Sequence, residues 1–410
     1  MPRRSVVSSL ARGLVVAAAV CLVVGGAPPR LRAQGVLPGV SEQDLLTLLP
    51  YRLSNDELPA GFQVYEETAT PNAALAFGAA TGDREATLAA LQAARRITGL
   101  QQTFVPPARS DGSVARLLLS LYSDAAGAAA AVNQTEPAGA GAVEALDASA
   151  LGDGARLLHQ LATSSSPELF AAAWSSGPLQ FVVTVQGPDA SAELAASFAL
   201  AAQQYAAAAG DPADDATPIA PRDDATVLAL GEALEQGQLP ATAVPSAFSP
   251  GGAYLWSNEQ LVLDARQPPA IAHLIVAEWG RVAASAQYFT SGDSTRTLLT
   301  TAIVGFVDAV GAQRAVEDES LTAATRQAVL PLAPPVQLGD ETIAYRATVR
   351  WPRAELRESY TIQWRHGAAA LSVTVNAPAG SGQPAYLAGV AAALDAAYLA
   401  AGQPGSGSVQ

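Results

Sequence analysis

The sequence predicts an α+β protein made of two duplicated domains, each a mainly antiparallel sheet of about five or six strands covered by helices. Three observations predict it. Matching words recur in the same order along the 410-residue chain. Short segments of alternating apolar residues are separated by turn residues, the pattern of strands joined by tight connections. Alanine-rich segments that open on a capping residue fall between them at collinear positions, as helices do.

The recurring words place the two copies at residues 41–209 and 222–401. Tyr122 to Val132 reappears as Phe306 to Val316, and Leu151-Gly152-Asp153 as Leu338-Gly339-Asp340. Trp174 to Gly177 matches Trp364 to Gly367, and Phe181 to Val185 matches Leu371 to Val375. Residues 210–221, rich in Pro, Asp and Ala, read as a linker, and residues 402–410 as a loose tail.

Within a copy the elements follow in order. A short helix opens the first at Ser41 to Leu49, with Ser41 as its cap, and Leu58-Pro59-Ala60-Gly61-Phe62 leads into a strand. A second helix is expected over Arg84 to Arg96, ending near Gly99, and over Pro269 to Trp279, ending near Gly280. Strands follow at Leu100 to Val105 and Val114 to Tyr122. Asp124 and Asp308 then stand where helix N-caps belong. After the Leu-Gly-Asp turn come strands at Ala155 to Ala162, Glu168 to Ser175 and Leu179 to Gln186. In the last of these Phe181, Val183 and Val185 share one face. A terminal helix closes each copy, capped by Asp189 in the first and showing Leu194, Phe198, Ala201 and Tyr205 on one side. Leu387, Leu394 and Tyr398 take the corresponding side in the second.

Apolar content of 50% with 15% charged residues describes a folded chain, although alanine supplies much of it and buries little area per residue. Lysine is absent and all 23 basic residues are arginine, which reflects a biased composition rather than arginine chemistry. Arg3 and Arg4 followed by the apolar run Leu14 to Val24 read as an export signal, too short to span a bilayer comfortably. A secreted or extracytoplasmic destination is expected. Sec export is favoured over the twin-arginine route suggested by Arg3-Arg4, because paired arginines are common in ordinary signals. Loss of residues 1–33 leaves 18 arginines against 37 acids, a formal charge of −19, and no stable transmembrane anchor. Such a surface repels nucleic acid and anionic lipid. Cys21 lies inside the apolar run behind Val20, a poor context for lipidation, so the mature chain is cysteine-free, with neither disulfides nor thiolate metal sites.

Catalytic motifs are not evident. His159 falls in a predicted strand with Arg346 at its place in the second copy, His273 in an apolar helix and His366 in a hairpin turn. None sits in a serine-nucleophile or zinc motif. Asp153 and Asp340 read as turn residues, since Gly supplies the unusual dihedrals and Asp accepts local backbone bonds. Glu317-Asp318-Glu319 and Asp223-Asp224 lack the spaced ligands of a calcium loop. No metal and no cofactor is expected. Aromatic residues are the asymmetric feature: one tryptophan in the first copy, Trp174, against Trp256, Trp279, Trp351 and Trp364 in the second. Trp351, Arg353, Arg357, Trp364 and His366, with Arg346, are the candidate ligand-binding residues, a rim able to stack on and hydrogen-bond an anionic or sugar-like molecule. Core packing is the competing reading, stronger for Trp364 because Trp174 matches it.

The Leu58-Pro-Ala-Gly-Phe62 opening, the Tyr122 to Val132 segment, the Leu-Gly-Asp turn and the Arg365-His366-Gly367 hairpin together resemble a secreted bacterial domain that often occurs in tandem. It is broadly similar to PsbP-like exported lipoproteins and to extracellular sensor domains of bacterial serine/threonine kinases. The cysteines of the kinase sensors are missing, and the second copy departs at Leu239-Pro-Ala-Thr-Ala243. The resemblance implies binding or scaffolding more than catalysis and transfers no catalytic residue.

The sequence therefore points to a non-enzymatic exported protein that binds a small molecule or an envelope protein. A secreted hydrolase using Asp340 or Glu341 with Arg346 is one alternative. A purely structural envelope protein is the other.

Overall fold

A computed structural model describes residues 42–59, 61–106, 113–136, 141–164, 167–210, 223–264, 276, 279–293, 297–317, 329–350 and 356–404. The export signal, most of the linker and of the tail, most of the expected helix at Pro269 to Trp279 with His273, and the candidates Trp351 and Arg353 lie outside these residues.

Two compact units are present, and they repeat one topology. The first holds strands β1 (Gln63–Ala69), β2 (Arg96–Val105), β3 (Val114–Tyr122), β4 (Val143–Leu146), β5 (Arg156–Gln160), β6 (Leu169–Ser176) and β7 (Leu179–Gln186) in the order β1-β2-β3-β7-β6-β5-β4. The second holds β8 (Phe248–Trp256), β9 (Arg281–Ser291), β10 (Leu298–Phe306), β11 (Val329–Leu332), β12 (Glu341–Arg350), β13 (Leu356–His366) and β14 (Ala369–Pro378) in the order β8-β9-β10-β14-β13-β12-β11. All pairings are antiparallel and the registers coincide: Arg116 pairs Thr184 as Thr300 pairs Thr374. Seven strands exceed the expected five or six. Among those unforeseen are the edge strands β4 and β11, four residues each, too short to show a readable alternation.

Helices cover both faces of each sheet. In the first unit α1 (Glu42–Leu48) and α5 (Ala192–Ala209) lie on one side and α4 (Ala125–Gln134) on the other; α2 (Asn72–Phe77) and α3 (Arg84–Ala93) link β1 to β2. In the second, α6 (Asp224–Gln236) and α9 (Leu387–Ala400) pack on one face, and α7 (Asn258–Asp264) and α8 (Ala309–Glu317) on the other. Phe104 stacks on Phe198 and Trp174 on Phe181, with ring centroids 5.3 and 5.0 Å apart. Ile362, Trp364, Leu371, Val373 and Val375 meet Leu387, Leu394 and Tyr398 of α9, as the alternation and the helix face predict. Each such large apolar side chain contributes about 1.5–3 kcal/mol on burial.

Local chemistry sets the element ends. Asp124 Oδ1 accepts from Gly127 N at 2.7 Å and Asp308 Oδ1 from Gly311 N at 2.8 Å, the N-caps read from the sequence. A Cβ at Gly311 would come within 2.9 Å of the Trp279 carbonyl carbon, so only glycine lets α8 start this close to the preceding chain. The cap of α5 is Ser191, whose Oγ accepts from Leu194 N at 3.1 Å, and not Asp189. The buried stripe of α5 is accordingly Ala195, Phe198, Ala199 and Ala202. The second helix ends at Ala93 rather than Arg96. Arg95 holds a left-handed φ of 60°, where Gly280 has 65° in the second unit, and β2 begins at Arg96.

That turn positions a buried arginine in each unit. Arg96 Nη1 donates to Thr70 O (2.8 Å) and Asn72 Oδ1 (2.9 Å), while Asn72 Nδ2 donates back to Arg96 O (2.8 Å). Arg281 repeats the pattern with Trp256 O (2.8 Å) and Asn258 Oδ1, and Asn258 Nδ2 donates to Arg281 O (3.0 Å). Its guanidinium also lies 4.8 Å from the Trp256 ring centroid. The copies thus share an arginine position that word matching missed, and Trp256 has a structural use.

Candidate functional site

Antiparallel pairing and strand alternation distribute the candidate residues of the second unit. On β13, Glu358, Tyr360, Ile362, Trp364 and His366 face α6 and α9, whereas Arg357, Ser359, Thr361, Gln363 and Arg365 face the α7/α8 side. The four described candidates fall in three places.

Trp364 is fully buried in the core, and its Nε1 donates to Asp395 Oδ1 of α9 at 2.8 Å. His366 Nε2 lies 2.6 Å from the same oxygen, and its ring stacks on Tyr398 at 5.5 Å. This bridge ties the end of β13 to α9 and belongs to the second unit alone, since Ser176 and Ala202 occupy the matching positions of the first. Arg346, on β12, pairs with Glu358 at 3.4 Å, and Tyr360 Oη donates to Glu358 Oε2 at 2.8 Å. Burial, with the Glu358 bond, raises the Tyr360 phenol pKa. Asp340 holds a hairpin: its Oδ2 accepts from Gly367 N (3.0 Å) and lies 3.1 Å from Arg365 Nη1, while its N donates to Arg365 O (2.8 Å). Gly339, at φ 58°, makes that turn possible. Burial, with repulsion from Glu317, pushes the Glu341 carboxyl up against the opposing pull of Arg365. Of the two acids of the hydrolase alternative, Glu341 stands at an odd position of β12 and Arg346 at an even one, hence on opposite faces, while Asp340 is engaged by Gly367 N and Arg365 at the hairpin.

Arg357 is buried on the α7/α8 side, where it borders a group of polar residues that the sequence reading passed over. Cross-strand pairing sets Thr300, Thr374 and Thr361 in one row across β10, β14 and β13, and Asn376 and Ser359 in the next. All are buried, Asn376 to 1% exposure. Thr361 and Thr374 share a hydrogen bond of 3.0 Å. Among the described residues neither Asn376 Nδ2 nor Asn376 Oδ1 has a hydrogen-bond partner, and neither does Thr300 Oγ1. An amide brings two N–H donors and a carbonyl acceptor, and burial without partners costs about 1–3 kcal/mol. In the first unit the matching positions are Arg116, Ala171, Thr184, Leu169 and Gln186; Arg116, Thr184 and Gln186 are only half-buried. The signal was available in the residues between Leu371, Val373 and Val375. Thr374 and Asn376 look like a solvent face, and the fold buries them.

Among the described residues no group of three or more His, Cys, Asp or Glu side chains could hold a metal ion, and no helix is long and apolar enough to cross a membrane.

No protein-family model matches the chain, and no curated protein matches it significantly. Among solved structures it is similar in part to the extracellular domain of PknH from Mycobacterium tuberculosis, with 15% identity and a TM-score of 0.29 over 40% of this chain and 94% of that one. It is also similar in part to the apo immunity protein TplEi of the T6SS from Pseudomonas aeruginosa, with 12% identity and a TM-score of 0.17 over 70% of this chain and 87% of that one. Both are partial likenesses of the chain trace, and neither bears on function.

Proposed function

We propose that the chain is an exported, non-enzymatic binding protein whose second unit takes a small polar ligand. One observation carries the reading: Asn376, buried to 1% exposure, leaves both ends of its amide unpaired among the described residues, on a face shared with Thr300, Ser359 and Arg357. Stability alone does not select such a group, because an apolar side chain of similar shape in its place would be neutral or better. A polar partner that enters from outside gives it a use. The first unit, lacking the set, is the scaffold copy in this reading. Residues 41–209 and 222–401 are proposed as separately folding domains joined by 210–221, a division that limited proteolysis at the linker tests. Export follows from the signal at residues 1–33.

Native mass spectrometry of the mature chain, after incubation with small-molecule extract from the producing culture, tests the binding reading. A bound mass on the wild type that Asn376→Leu loses while staying folded by circular dichroism is the expected result. If the wild type carries no adduct, or the variant keeps it, the second unit is not a small-molecule receptor at this face.

A further inference from the structure

The Leu-Gly-Asp turn common to both units has diverged at the residue after the aspartate, which is Gly154 in the first unit and Glu341 in the second. From that difference we infer that Asp153 is a site of spontaneous covalent modification, the isomerisation of its peptide link to an isoaspartyl one. Asp153 and Gly154 are exposed at the tip of a turn closed by a long bond, Ala155 N donating to Gly152 O at 3.3 Å. Gly152 and Gly154 hold left-handed φ of 91° and 76°, and a Cβ at either would meet nothing within 4 Å. Among the described residues no group hydrogen-bonds the Asp153 carboxylate. Asp340 is placed differently. Its Oδ2 accepts from Gly367 N at 3.0 Å and lies 3.1 Å from Arg365 Nη1, its N donates to Arg365 O at 2.8 Å, and a Cβ at Gly339 would come within 2.2 Å of that same carbonyl oxygen.

The reaction needs only these two residues and water. The Gly154 nitrogen attacks Asp153 Cγ: the N–Cγ bond forms, a carboxyl C–O bond breaks, and the oxygen leaves as water with the amide proton and the carboxyl proton. The five-membered succinimide that results takes up water at the Asp153 main-chain carbonyl carbon, whose bond to the Gly154 nitrogen then breaks. The chain now runs through Cγ and the α-carboxylate is free, with composition and charge unchanged. A side chain on the following residue obstructs this attack. Gly154 has none, and a glycine on either side of Asp153 lets the turn rotate into the reactive geometry. At the second turn the carboxylate is engaged by Gly367 and Arg365, and the next residue, Glu341, opens β12 opposite Arg365. The product adds one main-chain carbon between two anchored points. Leu151 is buried and its O accepts from Gln203 Nε2 at 2.8 Å, while Arg156 Nη1 donates to Asn133 O (2.7 Å) and Thr135 O (2.8 Å). The change therefore stays within the turn, and the unit remains folded.

Peptide mapping of the folded mature chain, before and after several weeks in warm, mildly acidic buffer, tests the assignment, with electron-transfer fragmentation to tell isoaspartyl from aspartyl links. Trypsin cuts after Arg109, Arg116 and Arg156, so Asp153 is read apart from Asp111-Gly112, the other Asp-Gly pair of the sequence, which lies outside the described residues. Isoaspartate is expected to accumulate with time at Asp153 while Asp340 stays aspartyl. Gly154→Ala sets a side chain beside the attacking nitrogen and is expected to slow the accumulation several-fold, with circular dichroism showing that the variant is folded. No isoaspartate at Asp153 in the wild type, or as much at Asp340 as at Asp153, overturns the assignment. So does accumulation at the wild-type rate in Gly154→Ala. The comparison of the two turns within the wild-type chain decides the matter even if that variant misfolds.

Discussion

Replacing Asn376 by leucine is expected to stabilise the protein, the reverse of what a polar-to-apolar change at a satisfied position does. Asn376 is 1% exposed and both ends of its amide are unpaired. Removing a buried amide in that state relieves about 1–3 kcal/mol, and leucine is close to asparagine in shape. For a unit of this size about 1 kcal/mol moves Tm by roughly 2–4 °C, so Asn376→Leu should raise the transition of the second unit by about 2–12 °C. Gln238 supplies the control. It too is a buried amide, but its Nε2 donates to Ser285 O at 2.6 Å and its Oε1 accepts from Thr301 Oγ1 at 3.0 Å. Gln238→Leu strands both partners and should destabilise by about 1–3 kcal/mol. Differential scanning calorimetry of both variants reads the two signs side by side. An Asn376→Leu transition below that of wild type would mean that the amide is satisfied by water held in the fold, and the assignment of this face as a binding site would fall with it.

Three further outcomes are expected. Ser191→Ala removes the cap of α5 and should cost about 0.5–2 kcal/mol in chemical denaturation, whereas Ser191→Asp keeps a capping acceptor and should cost less. Asp395→Ala strands the indole N–H of Trp364 and frees His366, costing about 1–3 kcal/mol with a change in tryptophan fluorescence; Asp395→Asn keeps an acceptor and should cost less. Burial, with repulsion from Glu317, raises the Glu341 carboxyl above its ordinary value, so the folded state holds its proton more tightly than the unfolded chain. Its contribution is fully present below the unfolded pKa and is lost as pH rises through the folded value. Glu341→Gln should flatten that fall in a series of melts across acidic pH, and an unchanged slope would refute the assignment.

The duplication was legible because the residues that repeat are those that local geometry dictates. Asp124 and Asp308 cap helices in any context that starts a helix there, and Gly339 is needed wherever a left-handed turn precedes a strand. The alternation of Phe181, Val183 and Val185 reads directly, because period two places those side chains on one face. Short edge strands did not read, since Val143–Leu146 pairs on one side only and has no apolar face to bury. The shared buried arginine was missed for another reason. Arg96 and Arg281 are flanked by different residues, and what they share is an asparagine two dozen positions earlier that only the fold brings within bonding distance.

The candidate site divided in the same way. Aromatic and arginine asymmetry directed attention to the second copy; there Trp364 and His366 form a bridge to α9, Arg346 is paired with Glu358, and Arg357 stands next to the Asn376–Ser359 pair. Composition and spacing by themselves determined the α+β class, the two similar sheet units, the caps at Asp124 and Asp308 and the acidic balance of the chain, because each depends on residues near one another in sequence or on totals. Which polar residues are buried, which of them find a partner, and which charges meet were decided by the tertiary structure. Thr300, Ser359 and Asn376 come from three strands. Whether their polar atoms are paired depends on what the sheet sets beside them, and that is a property of packing, not of any one segment.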